Sequence, residues 1–178
     1  QRMGYGSAAG PLATRHGSDV APVRLSGWSL ACWALALSGR PLRAAVVAGG
    51  TALALHHKLA PMLGEGRRAS AQLALGGHLA AGRRLASAAV RDWWPLTAAA
   101  LLTGRGRRPA LALVVWALAH RARNGSGSGG ERLRFASLGV VDDLAYGAGV
   151  WRGAWRQRSI RCLLPRLTSW PGRSPTGR

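Results

Sequence analysis

The sequence predicts an all-α protein of short helical hairpins and amphipathic helices, associated with a membrane and disordered at its ends. Residues that favour sheets are scarce, with a single Ile160 and a single Phe135. Apolar runs rich in Ala and Leu alternate with basic turns that contain Gly or Pro, which is typical of helical hairpins. The 25 basic and 6 acidic residues give a formal net charge of +19 over 178 residues. This excess favours an acidic partner, either nucleic acid or anionic lipid.

Residues 1–25 are predicted to be a connector. Glycines and prolines are too frequent there for anything longer than a short helix around Ser7–Arg15. The chain opens at Gln1, with no Met and no signal-peptide pattern. We therefore expect the sequence to be a piece of a longer protein.

Two apolar helical hairpins are predicted, over residues 26–60 and 92–121. The first turns at Gly39-Arg40-Pro41 and the second at residues 104–109, and basic residues stand at both ends of each hairpin. Each arm is shorter than the roughly 20 apolar residues that a membrane-crossing helix needs. Basic residues at both ends favour hairpins that lie in one leaflet, or enter and leave it on one side, with Arg side chains reaching the lipid phosphates.

Four further segments complete the predicted organisation. Residues 66–91 have the apolar spacing of an amphipathic helix. Residues 124–130 (NGSGSGG) are predicted to be a flexible linker, because they offer no side chain that could anchor them. Residues 132–160 are predicted to form a C-terminal helix containing Gly, Trp and Arg, and residues 165–178 a disordered tail.

The C-terminal helix is predicted to pack closely against another helix. Small residues recur in it every four positions, so they form one face that a partner backbone can approach. The neighbouring Asp142 and Asp143 point about 100° apart on a helix, which favours pairing with arginines of another helix over a metal or acid–base site. The residues assigned to this packing are Asp142, Asp143, Ala145, Tyr146, Gly149 and Gly153.

Tryptophans near the ends of the apolar segments are predicted to lie at the membrane interface, because their rings are apolar and their N–H groups are polar. The alternative is that these segments are soluble core helices, in which Trp supplies the bulk that Ala lacks. The residues assigned to the interface are Trp28, Trp33, Trp93, Trp94, Trp151 and Trp155.

Recognisable active-site motifs are absent from the sequence. It contains no GxxxxGK[ST], HExxH, GxSxG or D-x-D pattern, and its cysteines and histidines lack metal-ligand spacing. We therefore assign no catalytic, cofactor-binding or metal residues and expect no catalysis from this segment alone. A small Arg-rich nucleic-acid-binding protein is the alternative class, and enrichment of Arg, Ala and Gly by G+C-rich coding would account for part of the charge.

Two stretches carry a family resemblance. DDLAYGAGVWRGAWRQRSIRCLLPRL, from Asp142 to Leu167, resembles the C-terminal end of the mycofactocin-system glycosyltransferases, family 2 enzymes with the pattern DD-x-AYG-x-G-x-W-x-G-x-x-R-x-R-[ST] in their last helix. YGSAAGPL, from Tyr5 to Leu12, resembles the stretch that follows the catalytic domain in that family. Between the two stretches, the order of short apolar arms and basic turns resembles that of the family.

The resemblance implies a role for this segment that follows from its place after the catalytic domain. Enzymes of this family glycosylate a peptide-derived redox-cofactor precursor, and they bind the sugar nucleotide and a divalent metal in an N-terminal domain, so we expect no cofactor in this segment. Residues 1–25 would connect to that missing domain, with Tyr5, Gly6 and Ser7 forming a loop near the acceptor. The helices would tether or cap the catalytic domain against anionic lipids on the cytoplasmic side of the cell membrane, with no nucleic acid favoured as partner.

Overall fold

Helices dominate the computed structural model, which describes residues 1–63, 67–124 and 128–169. The all-α prediction is confirmed. The helices are α1 (Arg2–Ser7), α2 (Ala9–His16), α3 (Gly27–Leu37), α4 (Pro41–Leu63), α5 (Arg67–Arg91), α6 (Trp94–Leu101), α7 (Arg107–Asn124) and α8 (Gly129–Arg156), with 3₁₀ turns at Gly17–Val20 and Arg161–Leu163.

Two short strands, β1 (Arg24–Leu25) and β2 (Arg166–Leu167), pair as a two-stranded sheet. The Arg166 N–H donates to the Val23 carbonyl over 2.8 Å, and the Thr168 N–H donates to the Leu25 carbonyl over 3.0 Å. Both bonds advance in the same direction along the two strands, which is the register of a parallel pair.

The predicted hairpins correspond to α3 with α4 and to α6 with α7. Ser26 begins α3 by accepting a hydrogen bond from the Ser29 N–H over 3.1 Å. Gly39 has a φ of +77°, which favours glycine, and α4 then begins at Pro41. Across the described residues, no helix combines the length and the apolar character required to cross a bilayer.

The segments outside the hairpins have the following bounds. The C-terminal helix begins at Gly129, where the Ser128 N–H donates to the Glu131 carboxylate over 2.8 Å as part of a capping box. Residues 125–127 of the predicted linker lie outside the described residues, and Gly129 and Gly130 belong to α8. Of the predicted tail, residues 170–178 lie outside the described part of the chain.

The chain divides into two compact units. The first unit contains residues 1–24 and 83–166. The second unit contains residues 25–82 and the described residues that follow Arg166.

Among its described residues, the first unit has two small apolar clusters, built mainly from Ala. One cluster joins α2, α8 and the 3₁₀ turn at Arg161–Leu163, and partly buried aromatic rings pack around it. Its buried members are Ala9, Ala13, Val150, Ala154, Cys162 and Leu163. The other cluster joins α5 to α7 through Ala86, Val90 and Ala117, with Leu113, Val114 and Trp116 packed against it.

Candidate functional site

A series of close backbone contacts in the first unit joins α8 to the two N-terminal helices. A Cβ added to Gly149 would meet the carbonyl oxygen of Met3, and one added to Gly6 would meet the carbonyl oxygen of Tyr146. One turn further along, a Cβ on Gly10 would lie 2.6 Å from the carbonyl oxygen of Gly153. Only glycine therefore leaves room for the backbones of these helices to approach this closely.

Tyr5, Gly6 and Ser7 lie in α1 and not in a loop, which corrects the sequence-based expectation. Tyr5 is exposed, whereas Gly6 is buried against α8. The Ser7 hydroxyl donates to the Gly4 carbonyl over 2.7 Å, within its own helix. Packing against α8 offsets the low helix propensity of Gly4 and Gly6, which sequence-based propensity alone weighs against a helix.

The partner of the small face of α8 was not identified from the sequence, although a usable pattern was present. Gly6 and Gly10 are four residues apart, as are Gly149 and Gly153. Two glycine pairs with this spacing fit a close crossing of two helical segments. Comparing the glycine spacing at the two ends of the chain would have paired them.

The two neighbouring aspartates of α8 each form an ion pair with an arginine of another helix. Asp142 pairs with Arg2 of α1, with 2.7 Å between the carboxylate oxygen and Nε. Asp143, whose side chain is only 12% exposed, pairs with Arg121 of α7. The pairs connect α8 to α1 and to α7, so the two carboxylates have separate partners and do not converge on one ion.

Further along α8, the residues that follow this acidic pair contact the end of α5. The Arg91 guanidinium carbon lies 3.9 Å from the centre of the Tyr146 ring, a cation–π contact. A Cβ on Gly147 would meet the Arg91 carbonyl oxygen and lie 2.7 Å from the Trp94 ring. Ala145, which precedes Tyr146 along α8, is half-buried.

A polar cavity of about 220 Å³ lies in the first unit, next to these contacts. Its polar lining comes from Arg91, Asp92, Tyr146 and Cys162, and the remaining lining residues are Ala9, Val20, Ala21, Pro22 and Val150. Asp92 is 9% exposed, and its own carbonyl accepts a hydrogen bond from the Trp151 indole N–H over 2.9 Å. Nothing in the sequence around Asp92 indicates that it is buried.

Burial raises the pKa of Asp92 to about 6, a shift that the Arg91 guanidinium opposes and the Asp143 carboxylate increases. Burial also raises the pKa of the Cys162 thiol. A carboxyl group with this pKa can exchange a proton with a polar molecule in the cavity near neutral pH.

Replacing Asp92 with Asn should remove a pH-dependent loss of stability. The Asp92 carboxyl group has a higher pKa in the folded protein than its unfolded value of 3.8, so its protonation at low pH stabilises the folded state. This stabilisation is lost as the pH rises through about 6. The loss is on the order of 3 kcal/mol. We expect Asp92→Asn to exceed the wild type in free energy of unfolding at pH 8, and the difference to shrink toward pH 4, as measured by urea denaturation.

Asp19→Asn, which removes an exposed carboxylate that pairs with Arg24 and Arg166 in the same unit, is the control for that comparison. A difference between Asp92→Asn and the wild type that stays constant with pH would contradict the assignment.

In the second unit, a buried histidine connects three helices. The Ser29 hydroxyl of α3 lies 3.0 Å from His78 Nδ1, and the Thr51 hydroxyl of α4 lies 2.7 Å from His78 Nε2. The Thr51 hydroxyl donates to the Ala48 carbonyl, so it accepts from Nε2–H, and Nδ1 then accepts from Ser29. Burial lowers the pKa of His78, in keeping with a neutral ring. Ser29 is only 6% exposed, so we assign these bonds to holding the helices together.

Four of the six tryptophans assigned to a membrane interface are half-buried within their units. Three donate their indole N–H to carbonyls: Trp33 to His78 over 2.7 Å, Trp93 to Leu163 over 2.8 Å, and Trp151 to Asp92. Trp94 is half-buried against α8. These contacts match the alternative in which Trp supplies bulk to the core, whereas Trp28 (44% exposed) and Trp155 (86% exposed) present their rings to the surroundings.

A metal site cannot be built from the described parts of the chain. Within residues 1–63, 67–124 and 128–169, no three side chains of His, Cys, Asp or Glu come together in a way that could hold an ion.

Comparison with known proteins identifies a relative of this chain. The pre-mycofactocin glycosyltransferases of two Mycobacterium tuberculosis strains, CDC 1551 / Oshkosh and ATCC 25618 / H37Rv, are each 36% identical to it over 186 aligned residues, which cover 92% of this chain. The chain is similar to a pre-mycofactocin glycosyltransferase. The resemblance drawn from its two end motifs is therefore confirmed.

The chain spans only 37% of the length of these pre-mycofactocin glycosyltransferases. No protein-family model matches it, and no solved structure matches it.

Proposed function

We propose that this chain is the C-terminal helical segment of a family 2 glycosyltransferase that glycosylates the peptide-derived precursor of mycofactocin. In this proposal the sugar nucleotide and a divalent metal bind in an N-terminal catalytic domain outside these 178 residues. The segment itself transfers no sugar. It holds the catalytic domain on anionic lipids at the cytoplasmic face of the cell membrane. The similarity to 37% of the length of the relatives supports the first part of the proposal.

An exposed apolar stripe on α7 carries the membrane part of the proposal. Leu111, Val115 and Leu118 are spaced by four and three residues, so they share one face of the helix. Their side chains are 43%, 61% and 37% exposed. Contact of these branched apolar side chains with water is unfavourable. Burying them in a lipid interface recovers about 25 cal/mol for each Å² of apolar surface removed from water.

In the second unit, α4 has a stripe of the same kind. Leu42, Val46 and Leu53 are spaced by four and seven residues and are 83%, 74% and 63% exposed. Gly49, at the position between Val46 and Leu53 on this face, is also exposed. Each unit taken by itself therefore presents an apolar helix face.

Basic residues flank both stripes, and they determine which kind of apolar partner fits. Exposed Arg107 and Arg108 stand at the start of α7 and Arg123 at its end, while Arg43 and Lys58 flank the α4 stripe. A helix that exposes an apolar face between cations suits the plane of an anionic lipid surface, where each cation near the surface contributes about 1 kcal/mol. The net charge of +19 suits an anionic lipid surface, as it would suit nucleic acid. Trp28 and Trp155 supply exposed rings suited to the headgroup region.

Flotation of the 178-residue chain with lipid vesicles tests this function. We expect the chain to float with phosphatidylglycerol-containing vesicles and much less with phosphatidylcholine vesicles at low salt. Because part of the attraction is apolar burial, which salt does not screen, a substantial bound fraction should persist at high salt and be released by detergent.

The nucleic-acid alternative predicts a different pattern in the same experiment. Affinity for phosphates of DNA or RNA falls steeply with salt. A chain that stays with added nucleic acid at low salt, leaves it at high salt and floats with neither vesicle would overturn the membrane proposal.

A further inference from the structure

The polar cavity of the first unit contains a buried carboxylate that lacks a partner. Asp92 lines this cavity and is only 9% exposed. Its backbone N–H donates to the Ala88 carbonyl and its backbone carbonyl accepts from the Trp151 indole, but no donor in the described part of the chain bonds to its carboxylate. The carboxylate keeps accessible surface, which the cavity provides. A buried polar group without a partner costs free energy, and a donor that enters the cavity would recover it.

Two further polar side chains line the cavity beside Asp92. Tyr146 reaches it from α8, and Arg91 reaches it from the end of α5. The guanidinium lies over the Tyr146 ring, but neither side chain forms a hydrogen bond or an ion pair with another described residue. A guanidinium donates, an ionised carboxylate accepts, and a phenol hydroxyl does both. The cavity therefore offers donors and acceptors together.

The charges of the lining disfavour ligands that carry a net charge. Arg91 contributes one positive charge and ionised Asp92 one negative charge, so the lining as a whole is neutral. An anion would meet the buried carboxylate, and a cation would meet the guanidinium. A zwitterion would have to give up the hydration of two full charges, which costs more than the desolvation of hydroxyl groups. A neutral molecule with several hydroxyl groups fits this lining best, because it both donates and accepts.

The size of the cavity and its apolar wall indicate one small organic molecule. The volume of about 220 Å³ is well above the roughly 30 Å³ that one water molecule takes up in the liquid. It is below the roughly 300 Å³ at which pockets for drug-sized ligands begin. Ala9 and Val150 supply apolar surface that can cover the C–H groups of a ring. Ala21 and Pro22, which also line the cavity, are half-buried, so a ligand can enter from the surface of the unit.

We propose that this cavity binds a neutral polyhydroxyl molecule of monosaccharide size, with Asp92 accepting from its hydroxyl groups and with Arg91 and Tyr146 as further partners. Such a site goes beyond the proposed function, which gives the segment no small-molecule ligand. The cavity belongs to the first unit alone and does not involve the apolar stripes, so its ligand and the attachment to lipid are tested separately.

Titration of the 178-residue chain with glucose, mannose and myo-inositol tests the cavity. The titration is followed by NMR at pH 8, above the pKa of about 6 to which burial raises the Asp92 carboxyl, so that this group is ionised. We expect at least one of the three probes to bind saturably, with a Kd on the order of 1 mM for a neutral ligand of this size. The indole N–H signal of Trp151, which donates to the Asp92 carbonyl, should shift on binding. That of Trp33, in the second unit, should not.

Three comparison probes test the class of ligand. Cyclohexanol is a ring with a single hydroxyl group, glucuronate is an anionic sugar, and serine is a zwitterion. Each should bind at least tenfold more weakly than the best neutral polyol. Equal binding of glucuronate or serine would contradict the assignment to a neutral ligand, and equal binding of cyclohexanol would contradict recognition of several hydroxyl groups.

Two variants assign the binding to the cavity. Asp92→Asn removes the charge and nearly preserves the shape of the side chain, and it should weaken binding about tenfold, as expected for the loss of one charge-assisted hydrogen bond. Tyr146→Phe removes only the hydroxyl, keeps the ring beneath Arg91, and should weaken binding about fivefold. Asp142→Asn, the same change of charge on α8 outside the cavity, is the matched control and should leave binding unchanged.

Absence of saturable binding of all three polyols would show that the cavity holds water only and would overturn the proposal. Equal binding of Asp92→Asn and the wild type would overturn it as well. This variant is expected to fold, because it should be more stable than the wild type at pH 8, so weaker binding cannot be ascribed to unfolding. Vesicle flotation without polyol binding would remove the cavity site and leave the membrane function standing, whereas polyol binding without flotation would do the reverse.

Discussion

Replacing Gly149 with Ala should lower the free energy of unfolding by about 2 kcal/mol. The added methyl group would meet the carbonyl oxygen of Met3, a backbone atom that cannot rotate away. Because the contact is with a backbone atom, separating α1 from α8 costs about 3 kcal/mol, the upper end of the range for overpacking. The gain of about 1 kcal/mol that Ala brings to a helix interior reduces the net loss to about 2 kcal/mol. Urea denaturation followed by circular dichroism measures the difference.

Gly77→Ala is the matched control for Gly149→Ala. Gly77 lies within α5, and a Cβ added there would meet nothing within 4 Å. The substitution should therefore raise the free energy of unfolding by up to about 1 kcal/mol through helix propensity alone. If both variants were stabilised alike, the close contact of α8 with α1 would be wrong.

Replacing Val115 with Asp should weaken binding to phosphatidylglycerol vesicles at least tenfold. The change removes a 61% exposed apolar side chain from the centre of the α7 stripe and introduces a negative charge beside an anionic surface. Lost burial of a valine costs about 1.5 kcal/mol and repulsion of the charge about 1 kcal/mol. Together these exceed the 1.4 kcal/mol that corresponds to a tenfold change in affinity.

Ser18→Asp adds the same charge at an exposed polar position of the first unit and serves as the control for Val115→Asp. Ser18→Asp should weaken vesicle affinity only through charge repulsion, because it removes no apolar side chain. Circular dichroism should show both variants folded, since both positions are exposed. Equal vesicle affinities of the two variants would show that the α7 stripe does not enter the lipid interface.

The choice of Val115 depends on the tertiary structure. From the sequence, Leu113, Val114 and Val115 are equivalent members of one apolar arm. In the structure, Leu113 and Val114 pack against Ala86, Val90 and Ala117, and Val115 points away from this cluster. A charge at Leu113 or Val114 would therefore test the stability of the fold and not its contact with lipid.

The sequence predicted the helices well, because local chemistry decides where they begin and end. Gly39-Arg40-Pro41 was predicted to be a turn, and α4 begins at Pro41. In the first hairpin, α4 extends beyond its apolar run to Leu63, because the polar His56-His57-Lys58 segment is compatible with a helix. At the N-terminus propensity was misleading, since the tertiary contact with α8 stabilises α1 over glycines that local preference disfavours.

By itself, the sequence determined that the chain is helical and basic, that it has apolar arms with basic ends, and which enzymes it resembles. These properties follow from composition, from the period of the helix and from motifs, all of which are local. Only the tertiary structure decided that Gly6 faces α8 and that Asp92 is buried beside a polar cavity. Burial and pairing depend on residues that are distant along the chain, and the small Ala and Gly side chains of these helices do not reveal which faces meet.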